Sequence, residues 1–115
     1  MTKIDIHVGG TFSDTKRRVL EAVAAAEKGP VEPQEHLTFE SWDALAAVMT
    51  SKRFELLRQL HASPELSVAD LARTLKRDYK RVHQDVQILS ASGLIERDSA
   101  GLRAGYDEIL TRIAL

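Results

Sequence analysis

Residues 67–93 constrain this chain most, because they have the pattern of two short amphipathic helices joined by a tight polar turn. Ser67, followed three residues later by Asp70, forms a capping pattern for the first helix. The apolar positions of that helix recur at helical spacing, at Val68, Leu71, Ala72 and Leu75. Asp78 predicts the start of a second helix over residues 79–92, and Gly93 predicts its end.

The second helix presents an apolar face to the core and a polar, basic face outward. Its inward positions are Val82, Val86 and Leu89. A helix-turn-helix places such an outward face in the DNA major groove, where Arg and Lys donate to guanine and Gln pairs with adenine. The residues expected to contact DNA here are Arg73, Lys76, Arg77, Tyr79, Lys80, Arg81, His83, Gln84 and Gln87. Among them, Lys80, Arg81 and Gln84 are expected at base edges, and Gln87 lies one turn deeper.

The alternative is that this basic face is only solvated, as many charged helix faces are. Residues 73–81 hold five basic residues and one acid, Asp78, which favours DNA contact. Arg73, Lys76 and Arg77 come before the second helix, where contacts to phosphate are expected.

A short hairpin is predicted directly after the second helix. Residues 94–97 and 102–104 are strand candidates, and the intervening residues have turn character. A hairpin in this place predicts a wing, with Arg97 and Arg103 flanking its tip and reaching phosphate or the minor groove. The alternative is a hairpin that only covers the core.

Two helices are predicted before this motif. One covers residues 51–61, with Ser51 as its cap and Phe54, Leu56, Leu57 and Leu60 as its apolar positions. The other covers residues 42–49 and follows Ser41 as its cap. The helix over residues 51–61 completes a three-helix core.

At both ends of the chain, apolar and polar residues alternate as they do in β-strands. Residues 3–8 and 109–115 are strand candidates, a helix is predicted over residues 15–28, and a short strand over residues 36–40. Pairing of the terminal strands, within or between subunits, would hide their edges. The residues expected at a dimer or partner surface are Ile4, Ile6, Val8, Val19, Val23, Ile109 and Ile113. An amphipathic helix over residues 107–115 is the alternative for the tail.

Composition limits the class of protein. The chain has 115 residues, 43% of them hydrophobic and 29% charged, and it contains no cysteine. These values are typical of a globular, cytoplasmic protein without a disulfide framework or a membrane span. The net charge of −1 conceals an asymmetry, since residues 1–50 sum to −3 and residues 51–115 to +2.

No catalytic motif stands out. His7, His36, His61 and His83 lack the sequence spacing of metal ligands, and no phosphate-binding loop or nucleophile elbow is present in the sequence. We therefore expect a protein that is not an enzyme and that has no cofactor and no metal site.

Several longer motifs carry a resemblance. LTFESWDALAAVMTSKRFELLR, the helix pair LARTLKRDYKRVHQDV and the closing GLRAGYDEI resemble prokaryotic winged helix-turn-helix regulators distantly akin to the MarR type. The N-terminal IHVGG is similar to members that serve as antitoxins in two-gene toxin–antitoxin modules.

The resemblance implies an α+β fold, mainly a helical winged helix-turn-helix domain with a small β-hairpin wing and short terminal strands. It implies a homodimeric transcriptional repressor that binds double-stranded operator DNA and sequesters a cognate toxin protein. Residues 1–40 would be a strand–helix extension and linker for dimer or partner contact, and the acidic character of this segment suits a basic toxin. Residues 41–115 would be the DNA-binding domain with a C-terminal strand. The alternatives are a stand-alone winged-helix regulator and a winged-helix interaction module without DNA binding.

Overall fold

The computed structural model describes residues 2–9 and 34–115, which form an α+β fold. The elements in chain order are β1 Lys3–Val8, β2 Gln34–Phe39, α1 Trp42–Val48, α2 Ser51–Ala62, α3 Val68–Leu75, α4 Tyr79–Ala91, β3 Glu96–Asp98, β4 Gly101–Arg103 and β5 Glu108–Ile113. They belong to two compact units, Met1–Leu45 with Asp107–Leu115, and Ala46–Tyr106. No helix within the described ranges is long and apolar enough to cross a membrane.

The first unit contains a parallel sheet with the strand order β2-β1-β5. Because β1 is the central strand, both of its edges are paired, and on its two faces Ile4, Ile6 and Val8 are buried as well as Asp5 and His7. The alternation of residues 3–8 correctly predicts a strand. It does not predict that the two polar positions between the apolar ones are buried as well.

The C-terminal segment is a strand, so the alternative of an amphipathic helix over residues 107–115 is wrong. It pairs with β1 within one chain, with Ile4 beside Ile109 and Val8 beside Ile113. The structure therefore groups β5 with the N-terminal strand, whereas the sequence suggests that it belongs with residues 41–115.

The expected dimer or partner surface is only partly exposed. Ile4, Ile6 and Val8 are buried in the single chain, while Ile109 is half-buried and Ile113 is exposed on the edge strand β5. Val19 and Val23 lie outside the described residues, as does the helix predicted over residues 15–28.

The second unit is built on α2, α3, α4 and a hairpin of β3 and β4. Its fully buried side chains are those of Leu56, Leu60, Leu71, Val82, Val86, Leu89 and Leu94. Burying large aliphatic side chains of this kind stabilises a fold by about 1.5–3 kcal/mol each. Apart from Leu94, which follows α4, these apolar positions come from the helical stripes that the sequence predicts.

Two details of α2 differ from expectation. Thr50, not Ser51, caps the helix, because Thr50 has extended backbone angles and its hydroxyl accepts from the Arg53 amide at 3.3 Å. Phe54 is 46% exposed. The inward stripe of α2 runs through Arg53, Leu56, Leu57 and Leu60, so that position 54 falls beside it.

The hairpin is joined to the loop that precedes α3. Glu65 forms an antiparallel bridge with Leu102, with N–H···O distances of 3.1 and 2.7 Å. Gly101 has φ of +126°, and a Cβ atom built there would lie 2.3 Å from the Glu65 carbonyl oxygen. Only glycine allows this close approach of the two backbones.

Candidate nucleic-acid interface

The end of α3 sets the turn between the two helices. Ser67 caps the start of α3, with its hydroxyl accepting from the Asp70 amide at 3.1 Å, as the sequence predicts. At the other end, Lys76 adopts the left-handed conformation with φ of 54°. The Lys76 and Arg77 amides donate to the Arg73 and Ala72 carbonyls, which is the hydrogen-bond pattern that closes many helices. The turn is therefore fixed by backbone hydrogen bonds and not by side-chain packing alone.

Asp78 caps α4, since its carboxylate accepts from the Arg81 amide at 3.3 Å. The helix then buries Val82, Val86 and Leu89. The opposite, exposed stripe carries Lys80, Gln84 and Gln87, with His83 half-buried beside them and Arg81 exposed on the flank. Tyr79 is exposed, and its ring lies 5.8 Å from that of His83.

A buried ionic network fixes α4 from its inner side. The Asp85 carboxylate accepts from Arg53 Nε at 3.0 Å and from Arg77 Nη2 at 2.9 Å. Arg53 also donates to the Ala47 and Val48 carbonyls at 2.7 and 3.1 Å, where α1 ends. One carboxylate therefore connects α2, the turn and α4, and the rotation of α4 about its own axis is set by this contact as well as by apolar packing.

This network gives Arg77 a different role from the phosphate contact expected of it. The Arg77 side chain is only 19% exposed and is used to neutralise Asp85. This network was not predicted from the sequence, although the sequence contains a signal for it. Asp85 is a charged residue inside the apolar stripe of α4, and a buried carboxylate requires cationic or hydrogen-bonding partners.

The remaining cations near the turn divide into paired and exposed ones. Arg73 forms an ion pair with Asp70, and its guanidinium holds the pKa of that carboxyl below the usual value. Lys76, Lys80 and Arg81 are exposed, and no acidic group among residues 2–9 and 34–115 lies within salt-bridge distance of them. Residues 73–81 thus present three cations that have no acidic partner among the described residues, and Asp78 is the adjacent acid.

The two hairpin arginines are in different situations. Arg103 Nε lies 2.9 Å from Glu96 and Arg103 Nη2 lies 2.8 Å from Asp98, so this residue ties the two strands of the hairpin together. The hydrogen bond with Arg103 lowers the pKa of Asp98 and raises that of Arg103. Arg97 is exposed and makes no ion pair within the part of the chain described. Of the two, Arg97 is the one with a guanidinium available to a ligand.

A second group of polar side chains lies in the first unit. Asp5 and His7 from β1 and His36 from β2 each offer one ligand atom, and these atoms lie within 4.8 Å of one another. The spacing along the sequence could not indicate this cluster, because His36 is brought to Asp5 and His7 only by the parallel pairing of two distant strands.

Comparison with known proteins identifies the family. The family model HVO_A0114 matches residues 48–111, more than half of the chain, so this chain belongs to the HVO_A0114 family. The matched region includes α2, α3, the turn, α4 and the hairpin. No curated protein and no solved structure matches the chain.

Proposed function

We propose that the unit Ala46–Tyr106 is a winged helix-turn-helix that binds double-stranded operator DNA and regulates transcription. The observation that carries this proposal is the group of exposed, uncompensated cations Lys76, Lys80 and Arg81 at the turn and the first turn of α4. Arg77 is taken up by the buried Asp85, and Arg73 is paired with Asp70 at the surface, so the other three cations are the ones without an acidic partner among the described residues.

The binding mode follows from the faces of α4. Lys80, Gln84 and Gln87 form one exposed stripe opposite the buried positions, so a helix lying in the major groove would direct this stripe at the base edges. Lys80 supplies donors for guanine and the glutamines can pair with adenine. Lys76 and Arg81 lie to the side, where phosphate contacts would fix the register without reading sequence.

The hairpin contributes as the wing. Arg103 keeps its two strands together, and Arg97 offers its guanidinium to phosphate or the minor groove. The Glu65–Leu102 bridge attaches this hairpin to the loop before α3, so that wing and helix pair would meet DNA as one body.

The test is a double substitution, Lys80→Ala with Arg81→Ala, assayed by gel shift or fluorescence anisotropy on the DNA upstream of the encoding gene. Loss of the Lys80 base contact costs about 1–3 kcal/mol and loss of the Arg81 phosphate contact adds to it, so affinity for the operator should fall at least about tenfold. Both side chains are exposed, and the free energy of unfolding should change by less than about 0.5 kcal/mol.

A matched control removes two positive charges elsewhere in the same unit. Lys52 and Arg58 lie on α2 and are exposed, so Lys52→Ala with Arg58→Ala should leave operator affinity within about twofold of the unchanged protein. If the variant with Lys80→Ala and Arg81→Ala binds DNA as well as this control does, the unit is a protein-interaction module and not a DNA-binding domain.

The repressor is proposed to act as a homodimer, since two half-sites raise the affinity that a unit with few phosphate contacts can reach. Among the described strands, β2 and β5 lie at the two edges of the sheet, and Ile113 on β5 is exposed. A dimer predicts a mass of twice 12.8 kDa in light scattering.

Neutralisation of a toxin by residues 1–40 is the proposed second role. It is favoured by the grouping of this segment with Asp107–Leu115 in a compact unit distinct from Ala46–Tyr106. A truncation that starts at Leu37 and still neutralises the toxin would exclude this assignment.

A further inference from the structure

We propose that Asp5, His7 and His36 bind one divalent transition-metal ion, with Zn²⁺ as the ion that best suits this ligand set. The site lies on the parallel sheet of the first unit and shares no residue with the proposed DNA interface. Two imidazoles and one carboxylate are the ligands of many three-residue zinc sites, in which water takes the fourth position.

The sheet places the three side chains on one face. Asp5 and His7 are two residues apart on β1, so they point to the same side. In the parallel register Asp5 lies beside His36, which brings the third side chain to that face from β2. The alternate positions of β1, Ile4, Ile6 and Val8, occupy the other face.

The distances are those of a metal site. His7 Nε2 and His36 Nδ1 are 3.4 Å apart, and His36 Nδ1 lies 3.8 Å from Asp5 Oδ2. Two ligands at 2.0–2.1 Å from a tetrahedral ion are separated by about 3.4 Å. The two nitrogens thus already stand at the required separation, and the ligand atom that Asp5 offers lies within 4.8 Å of both.

Burial and access also fit. Asp5 and His7 are buried, whereas the His36 side chain is 47% exposed, so an ion could enter from the side of His36. Stacking holds the two imidazole rings at a centroid distance of 5.6 Å and an interplanar angle of 19°. A metal ion would add a positive charge beside the buried Asp5 carboxylate, which favours its charged form.

Among the described residues of β5, Arg112 competes for the same carboxylate. Arg112 Nε, on β5, lies 3.8 Å from Asp5 Oδ1. The Arg112 side chain is 68% exposed, and an ion pair of this length and exposure contributes little, so it can give way to a bound ion. Lys3, also on this face, is engaged with Glu108 at 3.9 Å.

The test titrates the full chain, stripped with EDTA, with ZnCl₂ by isothermal calorimetry. We expect one ion per chain, reversal by EDTA, and a higher thermal midpoint with Zn²⁺ present. His36→Ala removes a ligand at an exposed position and should weaken binding at least about tenfold, because even the partners of ligands are worth about 10–100-fold in affinity. Co²⁺ should give ligand-field absorption in the visible range that His36→Ala abolishes.

His83→Ala is the control, since it removes a histidine that lies outside the cluster, and Zn²⁺ binding should be unchanged. Circular dichroism establishes that His36→Ala is folded, and failing that, His36→Gln retains a polar side chain at the same exposed position. The proposal is overturned if the unchanged protein binds no Zn²⁺, or if the folded His36 variant binds it equally well. None of these readouts involves DNA, so failure here leaves the proposed DNA-binding function standing.

Discussion

The carboxylate of Asp85 provides the sharpest test of how α4 is held. In an Asp85→Asn variant the volume of the side chain is kept while its charge is lost. The guanidinium groups of Arg53 and Arg77, whose side chains are 15% and 19% exposed, then lose their only acidic partner among the described residues.

The size of the effect follows from this burial. Removing one member of a buried ion pair costs about 3–5 kcal/mol, because the remaining charge is left uncompensated away from water. Domains of this size are stable by only about 5–15 kcal/mol, so the loss is a large part of the total. The amide introduced by Asp85→Asn would still accept a hydrogen bond from one arginine, which places the expected loss near the lower end of that range, about 3 kcal/mol.

The assay is urea unfolding followed by circular dichroism, with the midpoint and slope compared with those of the unchanged protein. Glu96→Gln is the matched control, since it breaks the half-exposed pair with Arg103 and should cost less than about 1 kcal/mol. In a double-mutant cycle, Asp85→Asn and Arg77→Ala should be clearly non-additive. A loss below about 1 kcal/mol for Asp85→Asn would refute the view that this network fixes α4.

Two further predictions concern the backbone. Gly101→Ala should lower the free energy of unfolding by at least about 2 kcal/mol in urea, because φ is +126° and the new Cβ would lie 2.3 Å from the Glu65 carbonyl oxygen. Gly105→Ala is the control and should be near neutral, since nothing lies within 4 Å of a Cβ atom built there. Equal effects of the two substitutions would contradict the structure. Lys76→Gly should raise the free energy of unfolding by up to about 1 kcal/mol, since Lys76 has φ of 54°. Lys76→Ala removes the same charge but keeps a Cβ atom, so it does not relieve the backbone strain. Both variants should lose DNA affinity to a similar extent, because both lose the charge. If Lys76→Ala also stabilises the protein, the left-handed conformation of residue 76 is not strained.

The helix pair can be predicted closely from the sequence because its determinants are local. The Ser67 and Asp78 caps, the apolar spacing and Gly93 place α4 to within one residue of its observed end. Hydrogen bonds and side-chain stripes of a helix join residues three or four positions apart, so a short window of sequence contains the whole signal. The predictions for Ser51 and Phe54 are wrong because cap position and stripe phase change with a shift of a single residue.

The sheet, the cluster of Asp5, His7 and His36, and the ionic network of Asp85 could not be predicted from such local signals. Which strands pair, and in which direction, depends on contacts between residues more than a hundred positions apart, as for Ile4 and Ile109. The cluster of Asp5, His7 and His36 exists only through such pairing. Asp85 could have been suspected as a charge in an apolar stripe, but its partners Arg53 and Arg77 are fixed by tertiary packing.

The central position of β1 has a consequence for the order in which the chain folds. β1 is synthesised before β5, which comprises residues 108–113 and pairs with residues of β1 that precede it by more than a hundred positions. On the ribosome, one edge of β1 therefore stays unpaired until β5 has been synthesised. The elements of Ala46–Tyr106 are contiguous in sequence, so they can pack against each other as they emerge. The unit Ala46–Tyr106 is then complete before the sheet is closed, and until residues 108–113 emerge the edge of β1 that pairs with β5 is open to pairing with other chains.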